Sequence, residues 1–510
     1  MGQDTRAGFQ RFSGYGENAP LDLDLSSAAV ARQIAKRMLS PDFGDWSEAV
    51  SRVGFCLHPI HLVGSSTTVD SGTGEVLSVY SSDHEAMGTT LTRCGNRRAS
   101  VCPSCSRVYA ADMFHLIRAG VSGGKGVPES VSENPLVFAT VTAPSFGHVH
   151  GKRDNNRRCR PHAKQKRCEH GRPTTCFATH EDEDPLLGQP LCWECYDYGS
   201  HVVWQWWAPE LWRRFTIALK RLLADRIGVK EKQLPDYASL QYAKVAEYQL
   251  RGLIHFHALI RLDGPKTDTG FAAAPDWLTA DIVSDLVAEA AAAVRFTAPP
   301  VFDGDIERVL AFGAQVDTRP VRTGHRTDDP EQALTAEQVA GYLAKYSTKS
   351  ATDTIDANGL NPHLRRVEEV ATEFAGLAED AWAHAETDVV LNDWPYGLLR
   401  KWAPSLGFRG HFATKSRRYS VTLGVLRRAR RRAQALIADA QRDGRTIDLA
   451  ALEADLLADD EDETTLIVGQ WRFVGVGWDN EGEVELARAA AARAREYAQH
   501  RAEQKRMRKQ

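Results

Sequence analysis

The chain has 510 residues, enough for two or three domains with a sizeable core, and its 43% hydrophobic and 25% charged content is ordinary for a globular protein. A net charge of -4 gives no sign of a uniformly basic nucleic-acid binder, while the lack of any run of ~18 apolar residues or of a signal-peptide core argues against a membrane span and for the cytoplasm. In that reducing compartment, nine cysteines argue for metal ligation over disulfides.

In chain order, residues 1–50 form an N-terminal segment that begins polar and Gly-rich, with a helical pattern from Ser27 to Leu39. Residues 51–134 read as short strands leading to a first cysteine cluster, with a loop over Gly120 to Pro128. Pro135 to Ala143 is a β-branched buried strand ended by Pro144. Residues of about 148–200 are rich in Cys, His, Arg and Pro with little periodicity, as in an insertion held by metal rather than by a core. Trp204 to Ile227 reads as a helix, and Ser239 to Tyr248 with Leu253 to Leu262 as a hairpin turning around Arg251-Gly252. Ala280 to Arg295 and Leu334 to Thr348 read as helices, the second capped by Thr335 with Gln338 three residues on. Beyond residue 420 lies an extension, 421–510. The basic helix Arg417 to Gln441 runs into it, followed by an acidic run, a strand pair over Thr465 to Trp478 and a final Ala/Arg-rich helix. These elements predict an α+β fold with a central antiparallel sheet and flanking helices, a zinc-binding Cys/His-rich insertion and a mostly helical C-terminal extension.

Two places carry chemistry. On the strand through His255-Phe256-His257, alternation puts both imidazoles on one face and Ile254, Phe256 and Ala258 on the other. A divalent ion there needs an oxygen ligand from the preceding strand. Glu247 is preferred to Gln249, since a carboxylate adds charge and suits Mg²⁺ or Mn²⁺. On the helix that follows, Tyr342 and Tyr346 stack one turn apart, and Lys345 and Lys349 each follow a tyrosine by three residues. An ammonium near a phenol lowers its pKa and stabilises charge on an attacked phosphate.

Phe138 to Gly147, His255-Phe256-His257 and Tyr342 to Lys349 together resemble the three motifs of the HUH endonuclease superfamily of rolling-circle replication initiators, in its two-tyrosine form. Cys94 to Arg98, Cys102 to Cys105, Leu211 to Phe215, Trp394 to Leu398 and Gly407 to Ser420 make the chain similar to actinobacterial plasmid and integrative-element initiators. The resemblance implies an HUH nicking domain over 135–420. It also implies metal-dependent cleavage of plasmid origin DNA through a 5′-phosphotyrosine link, with the second tyrosine serving the closing transfer. No Gly-x-x-x-x-Gly-Lys-Ser/Thr loop occurs, Gly123-Gly124-Lys125-Gly126 having the wrong spacing, so unwinding falls to a host helicase and synthesis to a host DNA polymerase.

Cys102-x-x-Cys105 and Cys192-x-x-Cys195 have structural-zinc spacing. With Cys94, Cys159, Cys168 and Cys176 they suffice for two tetrahedral sites, leaving Cys56 over, although His162, His170 or His180 could replace a cysteine. Such an insertion would present Arg157, Arg158, Lys164, Lys166, Arg167 and Arg172 to DNA. Arg417, Arg418, Arg427, Arg428, Arg430 and Arg431 form a second cationic surface, expected to contact the DNA backbone with steep salt dependence. The competing readings are a zinc-stabilised DNA-binding regulator without catalysis and an HUH relaxase or transposase. Relaxases commonly place tyrosine before the histidines, and such transposases carry one tyrosine.

Overall fold

The structure, a computed structural model, describes residues 21–85, 87–153, 157–161, 167–321, 336–348, 361–444, 452–457 and 465–507. The elements begin with helices α1 (Ala28–Met38) and α2 (Phe43–Arg52), strands β1 (Ile60–Asp70), β2 (Val76–Ser81) and β3 (Thr90–Thr92), and helix α3 (Pro103–Ser122). Next come β4 (Leu136–Thr142), α4 (Tyr198–Ile227), β5 (Ser239–Tyr248), β6 (Ile254–Asp263), α5 (Ala280–Ala293), β7 (Phe296–Ala298), β8 (Arg308–Leu310), β9 (Val316–Pro320) and α6 (Ala336–Ser347). The chain then forms α7 (Pro362–His384), α8 (Leu399–Trp402), β10 (Ala413–Lys415), α9 (Leu423–Arg442), α10 (Glu453–Leu457), β11 (Thr465–Val476) and α11 (Glu481–Met507). It is an α+β protein whose strand pairings are antiparallel.

Two compact units emerge, one of residues 1–111 with 458–510 and the other of residues 112–457. In the first, β11 pairs with β1 from Ile60↔Val476 to Asp70↔Thr465, and β2 and β3 pair with β1. The Thr465–Trp478 stretch is thus one long strand and not the strand pair the sequence suggests, because its partner lies some four hundred residues upstream. Residues from 465 onward accordingly group with the N-terminal unit and do not extend the preceding helices. Trp478 packs edge-on against Trp46 at 5.4 Å and donates its indole N–H to the Cys56 carbonyl, and Glu483 pairs with Arg37 at 2.7 Å.

The second unit is built on a five-stranded sheet in the order β10-β5-β6-β4-β9. The hairpin β5–β6 closes through Gly252, whose N–H bonds Gln249 O at 2.8 Å with φ +80°, a conformation that favours glycine. Side chains on one sheet face, Phe256 among them, meet α4. There Trp212 lies 5.2 Å from Phe256, in a core that includes Phe215, Leu219 and Leu223. Helix α4 starts at Tyr198, six residues before the sequence pattern suggests, because the Asp197 carboxylate accepts from Ser200 N and caps it; Gly228 in the left-handed region ends it. At the far end of β6, Arg261 forms a buried bidentate pair with Asp263 and also donates to the carbonyls of Gly120 and Tyr419. Three hydrogen bonds from the Lys415 ammonium, to the carbonyls of Ser416, Arg417 and Ser420, hold a turn there. The basic helix therefore begins at Leu423, and Arg417 and Arg418 stand in the turn before it. Among the described residues, no helix is long and apolar enough to cross a membrane.

Candidate metal and nucleophile centre

Strand register builds the centre. Pairing of Glu247 with His255, and of Val245 with His257, brings the carboxylate across from one imidazole and diagonal to the other. Glu247 Oε2 lies 3.1 Å from His255 Nε2 and 3.0 Å from His257 Nε2, and the two Nε2 atoms are 3.0 Å apart. Gln249 points elsewhere and accepts from Arg251 Nε. Three donors of oxygen and imidazole type thus converge within the span that one ion would bridge.

The third strand, which carries the Phe138 to Gly147 motif, adds a residue to which the sequence assigns no individual role. Thr140 pairs with His257, and its Oγ1 lies 2.9 Å from His257 Nδ1. If a cation took the place of the Nε2 proton, Nδ1–H would donate to Thr140 Oγ1, the tautomer a metal ligand needs. The only signal in sequence was a hydroxyl at the correct parity of the strand. Phe138, two residues earlier on the same face, stacks on His257 with ring centroids 5.7 Å apart.

Helix α6 lies over this face. Val339, Ala340, Leu343 and Ala344 are buried, leaving Tyr342 and Tyr346 along the flank toward the histidines. Tyr342 Oη is 3.3 Å from His257 Nε2, and its ring lies 4.4 Å from that of Tyr346 and 5.8 Å from Phe138. Tyr346 reaches within 6.1 Å of the His257 ring, and Lys345 Nζ sits 5.7 Å from the Tyr346 ring centroid. Lys349, like His162, Lys164 and Lys166, lies outside the described residues.

The electrostatics suit cation binding. Burial works to raise the Glu247 carboxyl, but hydrogen bonds and charge from His255 and His257 outweigh it and hold it at about 2. Burial lowers His257, against the pull of Glu247, and so favours the neutral imidazole. Burial raises the Tyr342 phenol well above the ordinary value, aided by the negative Glu247 and by Tyr346. In this arrangement the phenol is protonated.

Three further groups could hold metal. Cys56, Cys94, Cys102 and Cys105 converge in the N-terminal unit. His150, Cys159, Cys176 and His180 form a second group, and Cys168, His170, Cys192 and Cys195 a third. The sequence arithmetic of two sites with Cys56 left over is corrected. Cys56 completes a four-thiol set, and the five cysteines of the insertion recruit three histidines, including His150, to make two sets of four. His150 was invisible to the cysteine count because its partners lie 9 to 30 residues away and no Cys-x-x-Cys motif flanks it.

Of the arginines read as a DNA-binding surface, Arg417, Arg427 and Arg431 are exposed. Arg418 donates to Thr267 O at 2.9 Å, Arg430 pairs with Asp112, and Arg428 is half-buried.

A family described as RepSA, replication initiator protein of pSAM2, matches residues 42–492. A replication initiator protein of Streptomyces ambofaciens is 39% identical over 470 residues, covering 89% of this chain and 90% of that protein. No solved structure matches the chain.

Proposed function

Because the chain belongs to the replication initiator family described as RepSA, pSAM2, we propose that it starts rolling-circle replication of a plasmid or integrative element. It would do so as an HUH nuclease of the two-tyrosine type, nicking and rejoining one strand at the double-strand origin. The observation that carries this reading is the approach of Tyr342 Oη to 3.3 Å from His257 Nε2, beside a Glu247–His255–His257 cluster.

Glu247, His255 and His257 would hold Mg²⁺ or Mn²⁺, which would supply Lewis-acid polarisation of the scissile phosphate and offset the Glu247 charge that, together with burial, keeps the phenol protonated. Thr140 fixes the His257 ring. One tyrosine oxygen attacks phosphorus; the new P–O bond to tyrosine forms as the P–O3′ bond breaks. The phenol gives up its proton and the departing 3′ oxygen takes one up. A phosphodiester is exchanged for a phosphodiester, so no nucleotide hydrolysis is needed. The free 3′-hydroxyl primes synthesis by a host polymerase, behind a host helicase. The second tyrosine, 4.4 Å from the first ring to ring, repeats the exchange, and a 3′-hydroxyl then displaces the first tyrosine to close the circle. Lys345 offsets negative charge at the phosphate. Exposed Arg417, Arg427 and Arg431 would track the DNA backbone.

Supercoiled plasmid carrying the cognate origin, incubated with protein and Mn²⁺, should yield nicked circles with protein covalently attached. The double variant Tyr342→Phe/Tyr346→Phe should yield neither. Origin binding without nicking by the unaltered protein would refute the nuclease and leave a DNA-binding regulator.

A further inference from the structure

Residues 143–197 leave β4 and return to α4 with little apolar material of their own; between 148 and 196 the buried apolar residues among those described are Cys159, Leu187, Pro190, Cys192 and Tyr196. So small an interior does not offset the entropy of ordering the loop. Its backbone is zipped at the neck, where Asp197 N bonds Phe146 O, Leu191 N bonds His148 O, and His150 N bonds Gln189 O, each at 2.8 Å. Past the neck, another source of order is required.

Eight metal-type donors lie in and beyond the neck as four successive pairs: His150 with Cys159, Cys168 with His170, Cys176 with His180, and Cys192 with Cys195. The first and third pairs converge on one point and the second and fourth on another. In the first set His150 Nδ1 is 3.2 Å and Cys176 Sγ 3.5 Å from His180 Nε2. In the second, His170 Nδ1 is 3.2 Å from Cys195 Sγ and 3.8 Å from Cys192 Sγ. Tetrahedral zinc, with bonds of ~2.3 Å to sulfur and ~2.0 Å to nitrogen, spaces its donors at about 3.3–3.8 Å. Away from the donors, His180 Nδ1 bonds Asp184 Oδ2 at 2.7 Å, the carboxylate–imidazole arrangement that orients a ligating histidine.

We propose that residues 148–196 are a cross-braced module around two zinc-class ions, one held by His150, Cys159, Cys176 and His180, the other by Cys168, His170, Cys192 and Cys195. Because each ion's donor pairs alternate along the chain with those of the other, the two loops are interlaced, and loss of one ion should release the other. The thiols lose their protons on binding, so ion uptake releases protons and orders the loop in one step. The module also touches the hairpin that carries the histidines. A Cβ on Gly188 would fall 2.4 Å from Leu250 O, and just before the module the Arg251 guanidinium donates to Ala143 O and Pro144 O at 3.1 Å. A folded module thereby buttresses the β5–β6 turn and holds Arg157, Arg158, Arg167 and Arg172, all exposed, in fixed positions.

The test is metal content of the full-length chain, purified with zinc present. Three zinc ions per chain are expected, the third in the cluster of Cys56, Cys94, Cys102 and Cys105. Cys176→Ser and Cys192→Ser should each lose two ions, and Cys102→Ser one. Loss of a single ion in both module variants would refute the interlock, and an unchanged count would refute the sites. Asp184→Asn keeps every ligand and guards against simple misfolding. It should hold three ions but release them to a chelator at roughly 10–100-fold lower concentration, and unaltered chelator resistance would exclude His180 as a ligand. Cobalt-loaded protein should show tetrahedral visible bands with thiolate charge transfer; weak octahedral bands alone would overturn the assignment.

Discussion

Thr140 and Lys244 show how single side chains act, one at the centre and one in the core behind it. Thr140 Oγ1 lies 2.9 Å from His257 Nδ1, placed to accept from it when Nε2 holds a metal, so Thr140→Val should raise the Mn²⁺ concentration for half-maximal nicking by about 10–100-fold and leave turnover at saturating metal largely intact. A metal titration of nicking rate measures it, and an unchanged half-point would refute the orienting role. Lys244 lies on the other face of β5, fully buried, with its ammonium 4.6 Å from the Phe256 ring and donating to His411 O at 3.4 Å. Burial lowers its pKa from 10.5 to about 7. Between those values the unfolded chain binds the proton and the folded chain does not. Stability therefore rises with pH across this window and is lost as pH falls toward 7. Lys244→Met should flatten that dependence and raise stability at pH 7 by roughly a few kcal/mol, read from thermal unfolding at pH 7 and pH 9.5. For DNA, Arg427→Ala and Arg431→Ala should each lower the slope of log affinity against log salt by about 1, whereas Arg430→Ala acts mainly on stability through its pair with Asp112.

At the scale of elements, α6 is held by a narrow apolar stripe in which Leu343 is fully buried. Leu343→Ala should cost about 2–5 kcal/mol locally and lower adduct yield even with both tyrosines present, because the phenols lose their fixed distance from His257. Circular dichroism melts alongside adduct assays separate this from global collapse. Legibility varied by element for physical reasons. The β5–β6 hairpin is legible because alternation and an Arg-Gly turn mark two paired strands that bury Ile254, Phe256 and Ala258, while the exact register is not. The start of α4 was misread by six residues because Tyr198 to Val203 carry no helical stripe; the Asp197 cap decides it. The Thr465–Trp478 strand was recognised as β, but its partner was not, since pairing at that sequence distance leaves no periodic trace.

For the whole molecule, the pairing of β11 with β1 makes the C-terminal residues part of the N-terminal unit. Removing residues 458–510 would uncover the edge of β1 over eleven paired positions and delete Trp478 from the Trp46 cluster. The truncated chain should lose cooperative unfolding of that unit and aggregate. Size-exclusion chromatography and calorimetry of the truncation test this; a monomer with an unaltered calorimetric trace would contradict it.

Local composition by itself determined the donor chemistry: two histidines of one strand parity, two tyrosines one helical turn apart, paired cysteines, and no phosphate-binding loop. These depend only on the periods of strand and helix, which a sequence displays directly. Tertiary structure alone decided that Glu247 and not Gln249 meets the histidines, that Thr140 orients one of them, and that four cysteines include Cys56. It likewise decided that His150 joins a site across a loop. Each of these is a contact between segments whose separation is set by hairpin register or loop closure, and that geometry exists only once the chain has packed.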